Sequence, residues 1–377
     1  MVEAHSNCTW FCAGDEIFPA MLEAIDEARS SICLEVYIFQ NSPLGVRIRD
    51  ALVRARSRDV KVRVLVDAIG SYPLSHHFWD ELKNLGGEIR VFNPLALKRV
   101  TIRNHRKLLV CDDKIAFIGG FNVAREYEGD GVACGWCDVG MKIKGRLARQ
   151  LAKSFDELFN RADLKHKLFI HFHKTGAKKS VNVPPERIYF TGPGIGRNPF
   201  GHALRKDLRR ARNVQIVMAY FLPALRMRRA LMRIVRRGGT VQLILPGKSD
   251  VPISLLAARS LYRRLLRAGI EIHEYQPQIL HAKLIIVDDA VYVGSANLDT
   301  RSARINYEFM VRFENPAMAA EARDIFARTL KQCRRVTAEE WRRNRTFWRS
   351  LKQRWAYFLL NKIDPYVAQR QWKALPD

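Results

Sequence analysis

The sequence predicts an α/β protein made of two similar domains, each a mixed, mostly parallel sheet flanked by helices. Three observations carry that prediction. Strands alternate with helices through residues 15–93, the second half replays that order, and one eight-residue pattern occurs twice at corresponding places.

The first elements follow from apolar spacing. Ile17, Met21, Ile25 and Ala28 recur at helical spacing over residues 15–29, and an aliphatic run over 32–39 then reads as a buried strand. A helix over about 44–56, a strand over 60–66 and a helix over 78–85 follow, the last ended by Gly86 and Gly87. Strands separated by helices pair in parallel and are covered on both faces.

The second half repeats this chain segment by segment. Residues 82–94 line up without a gap against 265–277; Ala28-Arg29 before the strand over 32–39 matches Ala211-Arg212 before a strand over 214–222, and 138–143 matches 308–313. A repeat this long is a duplicated domain and not a solenoid unit. The expected organisation is a first domain over 1–163, a linker over 164–186, a second domain over 187–335 and a helical tail over 336–377. The linker is marked by Lys and His clusters, Gly176 and the breaker Pro184-Pro185. The main difference between the halves is an insertion over 95–104 carrying Lys98, Arg99 and Arg103, read as a basic flap because it leads straight into His105. Gly192-Pro193-Gly194-Ile195-Gly196 fails the Gly-x-Gly-x-x-Gly spacing and is not a dinucleotide loop.

The doubled pattern is His-x-Lys-x4-Asp, at His105, Lys107 and Asp112 and again at His281, Lys283 and Asp288. Each copy runs on into an apolar strand and a glycine corner, Gly119-Gly120-Phe121-Asn122 and Gly294-Ser295-Ala296-Asn297. Aliphatic runs joined at an aspartate turn make a hairpin, and period two puts each histidine on the same face as its lysine. One copy alone would pass for a half-buried polar strand. Two copies with the same corner point to chemistry.

Composition narrows the partner without choosing it. The 377 residues are 47% hydrophobic, enough for two cores, and a formal charge of +26 calls for nucleic acid, an acidic membrane surface or a phosphorylated substrate. Seven cysteines form no regular framework, which suits a reducing compartment, and Cys134-Gly-Trp-Cys137 lacks the second pair a zinc site needs. The first fourteen residues do not read as a signal peptide, and no apolar run approaches the roughly 20 residues that span a bilayer. Contact with a membrane is therefore expected at its surface.

These motifs resemble the phospholipase D superfamily over about residues 15–335. The resemblance implies two phospholipase D-like domains packed about a pseudo-two-fold axis, with both motifs in one cleft and a histidine attacking phosphorus. It implies a catalytic set of His105, Lys107, Asp112, His281, Lys283 and Asp288, with Asp112 and Asp288 more structural than catalytic. Asn122, Asn297 and Ser295 would contact substrate, and Asp138 and Glu308 would orient the histidines. By family habit His105 is the nucleophile and His281 the general acid and base. Two departures stand out: Gly120 replaces the usual motif serine, and the second hairpin is one residue shorter, so Asn297 is expected to need a tighter turn.

The chemistry agrees with the residue types. A phosphodiester displacement spreads negative charge over equatorial oxygens, which two ammonium groups and two amides suit without a metal or any other cofactor. One imidazole must be neutral to attack and the other protonated to release the alkoxide. Within the superfamily, Trp136-x-Asp138-Val139, Tyr220-Phe221-Leu222-Pro223 and the stretch 294–302 resemble bacterial cardiolipin synthases, in particular the shorter B type. That implies transfer of a phosphatidyl group between two phosphatidylglycerol molecules, with release of glycerol, at the cytoplasmic face of a bacterial cell membrane. A phospholipase D-type hydrolase or a nuclease would use the same site, with nucleic acid as partner in the latter case. A lipid-binding scaffold without activity is disfavoured by two intact His-Lys pairs.

The tail bears on the choice. Thr337-Ala338-Glu339-Glu340 reads as a capping box, after which Trp341, Trp348, Leu351, Trp355, Phe358 and Leu359 recur at helical spacing while Arg342, Arg345, Arg349 and Lys352 take another face. Such a helix either binds anionic headgroups or packs on the second domain with its arginines solvated. The ten arginines and Lys206 between residues 205 and 237 read mainly as solvated helix faces.

Overall fold

The structure, a computed structural model, describes residues 6–94, 101–162, 180–193, 198–344 and 346–373. Residues 95–100 of the basic insertion and most of the expected linker lie outside the described residues, as do Gly194, Ile195 and Gly196.

The first half supplies strands β1 (Asn7–Phe11), β2 (Ser31–Val36), β3 (Lys61–Asp67), β4 (Glu88–Phe92), β5 (Leu108–Cys111), β6 (Ile115–Gly119) and β7 (Gly140–Lys144). They form one sheet in the order β1-β7-β6-β5-β2-β3-β4. Helices α1 (Gly14–Glu27), α2 (Pro43–Ser57), α3 (Asp80–Asn84) and α4 (Arg146–Phe159) flank it. The second half supplies β8 (Ser180–Val183), β9 (Glu186–Thr191), β10 (Asn213–Met218), β11 (Thr240–Pro246), β12 (Glu271–Tyr275), β13 (Lys283–Val287), β14 (Ala290–Gly294), β15 (Glu308–Glu314) and β16 (Cys333–Val336), in the order β16-β12-β11-β10-β13-β14-β15-β9-β8. Its helices are α5 (Pro199–Leu208), α6 (Leu225–Arg236), α7 (Pro252–Arg267), α8 (Thr300–Arg304) and α9 (Pro316–Leu330).

Both sheets are mixed, as expected, but their parallel share is smaller than expected. Only β2-β3-β4 and β10-β11-β12 pair in parallel; the other neighbours are antiparallel. The crossover helices between β2, β3 and β4 and between β10, β11 and β12 return the chain for parallel pairing, whereas the two- or three-residue turns of β5-β6, β8-β9 and β13-β14 force antiparallel pairing. Strand β8 falls in the stretch expected as linker and pairs with β9 at the edge of the second sheet.

Three apolar clusters hold the halves. One packs α1 and α2 on the outer face of the first sheet, and one packs α5, α6 and α7 on the outer face of the second. The third is shared: Leu108, Val110 and Ile118 of the first sheet and Leu284, Ile286 and Val293 of the second join α4 and α9 in a single cluster. The two motif hairpins thus share one core, which fixes their separation.

The tail folds as α10 (Ala338–Arg343), α11 (Phe347–Phe358) and α12 (Asp364–Lys373). Thr337 Oγ1 accepts the Glu340 N–H at 3.1 Å, one half of the capping box, while the Glu340 carboxylate turns to Arg334 instead of closing the other half. The apolar residues divide between two faces. Trp341, Ala356, Tyr357 and Leu360 pack on the outer core of the second domain, whereas Phe347, Trp348, Leu351, Trp355 and Phe358 point outward.

Candidate active site

The site begins with backbone pairing between the halves. Asn104 forms a parallel bridge with Tyr307, and Cys137 forms one with Leu280. In the first bridge the His105 N–H donates to Tyr307 O at 3.0 Å; in the second the His281 N–H donates to Cys137 O at 2.7 Å. Each histidine segment therefore lies beside the start of the other half's acidic strand.

The side chains follow. His105 Nδ1 lies 3.0 and 3.1 Å from the Glu308 carboxylate oxygens, and His281 Nδ1 lies 2.6 Å from Asp138 Oδ2. The two rings meet edge to face with centroids 6.4 Å apart. The expected convergence of both motifs in one cleft is present, and each orienting acid is supplied by the opposite half.

Burial sets the electrostatics. Desolvation lowers the His105 pKa to about 4 against the opposing pull of Glu308, so this imidazole is neutral at pH 7 with its Nδ1–H donated to the carboxylate. His281 is also lowered by burial and by Lys283, with Asp138 acting in the other direction. Burial would raise Asp138 and Glu308, yet the cationic lysines and the histidines hold both below their usual range. Lys283 is lowered to about 8 and Lys107 lies well below its ordinary value, in both cases chiefly through burial. Two buried ammonium groups that repel each other favour the entry of an anion.

Lys107 Nζ donates to His105 O at 2.7 Å. Lys283 Nζ donates to His281 O and lies 2.9 and 3.0 Å from the two ring nitrogens of His281. Asn122 Oδ1 accepts the Ile38 N–H at 3.1 Å and Asn297 Oδ1 accepts the Tyr220 N–H at 3.3 Å, equivalent bonds that orient both amides alike. The shorter second hairpin therefore imposes no tighter turn on Asn297. The extra residue of the first hairpin is absorbed at its tip, where Cys111 pairs Ile115 while Val287 pairs Ala290.

Two expected site residues are elsewhere, and a third lies behind the site against Glu308. Asp112 and Asp288, grouped with the catalytic residues, lie at the far ends of β5 and β13, about 16 Å of extended strand from their lysines. Asp112 accepts the N–H groups of Arg29, Ser30 and Ser31, and Asp288 those of Arg212 and Asn213, so each fastens the chain entering β2 or β10. Ser295, expected to touch substrate, is fully buried and its Oγ accepts the Phe309 N–H at 3.2 Å, supporting the start of β15 beside Glu308.

The missing serine at 120 has a steric cause. A Cβ there would lie 2.2 Å from Asp138 Oδ1 and 2.4 Å from Oδ2. The orienting carboxylate occupies the space that Ser295 fills in the other half. Gly119 and Gly294, at φ 146° and 157°, would each drive a Cβ into a carbonyl of the acidic strand, 2.5 Å from Val139 O and 2.4 Å from Phe309 O.

A match to the family model described as "Cardiolipin synthase, PLD-like domain" covers residues 21–161 and 204–330. The chain belongs to the phospholipase D-like cardiolipin synthase family. It is 33% identical over 367 residues to a cardiolipin synthase of Clostridium perfringens (strain SM101 / Type A), covering 94% of this chain and 75% of that one. It is 31% identical over 362 residues to cardiolipin synthase B of Salmonella typhimurium, covering 94% of this chain and 87% of that one. The solved phosphatidylserine synthase of Haemophilus influenzae Rd KW20 shares the fold, with a TM-score of 0.75 at 16% identity over 96% of this chain and 94% of that one.

In this member of the cardiolipin synthase family an aromatic wall completes the site. Tyr37 lies 5.0 Å from the His105 ring, and Tyr127, Trp136 and Tyr220 lie 5.3, 5.6 and 6.4 Å from the His281 ring. Tyr127 OH accepts from Asn122 Nδ2 at 2.7 Å and lies 3.4 Å from His281 Nδ1. Sequence reasoning did not assign these residues to the site; Tyr220 stands at the position of Ile38 in the repeat, one residue beyond that of Tyr37. Ser302 Oγ donates to Glu308 at 2.9 Å and accepts the Asn297 N–H, tying the acid to the glycine corner. Arg106, between His105 and Lys107, turns away to an ion pair with buried Glu35 at 3.0 Å.

Proposed function

We propose that this protein is a phosphatidyltransferase that makes cardiolipin from two phosphatidylglycerol molecules and releases glycerol. The supporting observation is the pair of facing imidazoles, each backed by a carboxylate and flanked by buried lysines, in a chain of the cardiolipin synthase family. His105 Nε2 attacks phosphorus of the donor, the P–O bond to the departing glycerol breaks, and His281 gives that oxygen its proton. The hydroxyl of the second phosphatidylglycerol then attacks the phosphohistidine, His281 takes the hydroxyl proton, and the P–N bond breaks.

The assignment of His105 as nucleophile rests on its neutral state and on Glu308, which keeps the proton on Nδ1 and the lone pair on Nε2. His281 must be protonated for the first step. The phosphodiester anion, once bound against the ring, raises its affinity for a proton as Asp138 already does. Lys107, Lys283 and the amides of Asn122 and Asn297 hold the equatorial oxygens. No described helix is long and apolar enough to cross a membrane. Peripheral association with the cytoplasmic face of the cell membrane is the proposed location, supported by the net charge of +26 and the outward aromatic face of α11.

The test is to incubate the purified full chain with phosphatidylglycerol vesicles and, separately, with plasmid. Diphosphatidyl product with one free glycerol per turnover is expected. Phosphatidic acid alone would make the protein a hydrolase, and nicked plasmid without lipid product would make it a nuclease.

A further inference from the structure

Away from the cleft, α7 and α11 enclose a cavity of about 450 Å³ whose lining includes Arg259, Arg263, Arg264, Arg267 and Arg354, with Trp341 along one wall. Arg259, Arg263 and Arg267 repeat every four residues and so share one face of α7, while Arg354 reaches across from α11. Arg259 is held by Glu274 at 2.9 Å. Arg264, Arg267 and Arg354 are exposed. Guanidinium groups converging on a recess this size match a phosphate group in charge and in fork geometry.

The outward face of α11, next to Arg354 around the helix, is apolar and bare. Phe347, Trp348 and Trp355 are 74%, 69% and 57% exposed, and Leu351 and Phe358 continue the stripe. Such a face, beside an arginine recess, fits the boundary of a bilayer, where aromatic rings rest among the acyl ends of headgroups and arginines meet their phosphates. The tail then leads to the catalytic cleft. Thr300 Oγ1 donates to Asn361 at 3.0 Å, and Arg301 donates to Asp364 at 2.6 Å and to Thr101 O at 2.9 Å. Thr300 and Arg301 open α8, three and four residues beyond Asn297, so the segment after α11, which itself lines the recess, is fastened beside the second glycine corner.

We propose that the arginine-lined cavity between α7 and α11 is an accessory site for the phosphate of an anionic phospholipid headgroup, with the outward aromatic face of α11 entering the bilayer beside it. The site rests on the phospholipid reading of the cleft, but it is a binding site and needs no turnover. Its role is to hold the protein on anionic lipid with the cleft at a fixed distance from the surface.

The experiment compares co-sedimentation of the full chain with vesicles of phosphatidylcholine alone and of phosphatidylcholine mixed with phosphatidylglycerol. The variant Arg264→Gln/Arg267→Gln/Arg354→Gln is expected to bind the anionic vesicles about a hundredfold more weakly, at roughly fivefold per arginine. Arg229→Gln/Arg233→Gln/Arg236→Gln, which removes the same charge from exposed positions of α6, is expected to bind as the unaltered protein does. Transfer on short-chain phosphatidylglycerol dissolved as monomers is expected to be unchanged in both variants. Thermal melts of both report folding, and Trp348→Ala/Trp355→Ala, which leaves the arginines in place, tests the aromatic half independently. Equal loss of binding in the two arginine variants would reduce the site to diffuse charge and overturn the proposal. So would undiminished binding of the cavity variant. Absence of lipid transfer in every sample would overturn the catalytic reading and leave the binding comparison standing.

Discussion

Asp138 of one half lies 2.6 Å from His281 Nδ1 of the other, and Glu308 returns the relationship to His105 at 3.0 Å. Neither half holds a complete histidine-carboxylate pair of its own. Each acid therefore belongs to the chemistry of the partner motif. Asp138→Asn keeps the shape but not the acceptor charge, and is expected to lower kcat about 100- to 10,000-fold with little change in KM. Steady-state kinetics with a circular-dichroism melt checks this; a normal kcat would remove Asp138 from the positioning of His281.

Gly120 is fixed by the same carboxylate. Gly120→Ser restores the usual family residue yet places atoms 2.2 Å from Asp138 Oδ1, so the acid must move. A loss of about 1–3 kcal/mol in stability is expected from overpacking, with kcat falling alongside. Denaturant unfolding measures the first, and an unshifted midpoint would contradict the geometry.

The pH dependence has a definite sign. His105, lowered to about 4, stays neutral as the pH falls until that region is reached, so the acid limb of kcat/KM is expected well below the ordinary histidine range. His281, which must be protonated and is itself lowered, gives kcat/KM a first alkaline fall, and Lys283, lowered to about 8, is charged below that value and loses its charge above it, which adds a second fall near pH 8. Lys283→Arg, whose side chain does not deprotonate, is expected to remove the second fall and keep the first while lowering the rate. A profile with the fall near pH 8 retained in this variant would assign it to another group.

Asp112 and Asp288 act on folding. Burial would raise the Asp112 pKa, but the backbone N–H groups of Ser31, Arg29 and Ser30 outweigh it and hold the carboxylate below its usual range. Asp112→Ala is expected to cost about 1 kcal/mol of stability, because the group is half-buried and partly screened by solvent, and to leave the specific activity of the folded protein unaltered. The stabilising effect is present above the ordinary aspartate pKa and is lost as acid protonates the folded group below it. A large loss of kcat without loss of stability would return Asp112 to the reaction.

The covalent step is open to direct capture. Brief reaction with phosphatidylglycerol followed by alkaline quenching and peptide mass analysis is expected to find the phosphatidyl group on His105 and to find none in His105→Asn. Modification of His281 instead would exchange the two roles.

Much of this was legible in the residues. The doubled His-x-Lys-x4-Asp motif, the glycine corners, the duplicated strand order and the acids Asp138 and Glu308 are all periodic or repeated features, and periodicity survives in one dimension. Tyr37 and Tyr220 both follow the ends of corresponding strands, but they stand one residue out of step, and an aromatic there looks the same whether it fills a core or lines a cleft. The parallel share of the sheets was overstated because helix-strand alternation describes only the first strands of each half.

What the sequence by itself determined was which groups are present twice and on which side of each strand they stand, since those depend on spacing along one chain. Only the tertiary structure decided which acid serves which histidine, that Asp112 and Asp288 stand apart from the cleft, and that carboxylate volume is what keeps serine from position 120. The histidine-acid pairs and the bonds of Asp112 join segments some 80 to 200 residues apart, where the shared core sets the distance and no local pattern records it.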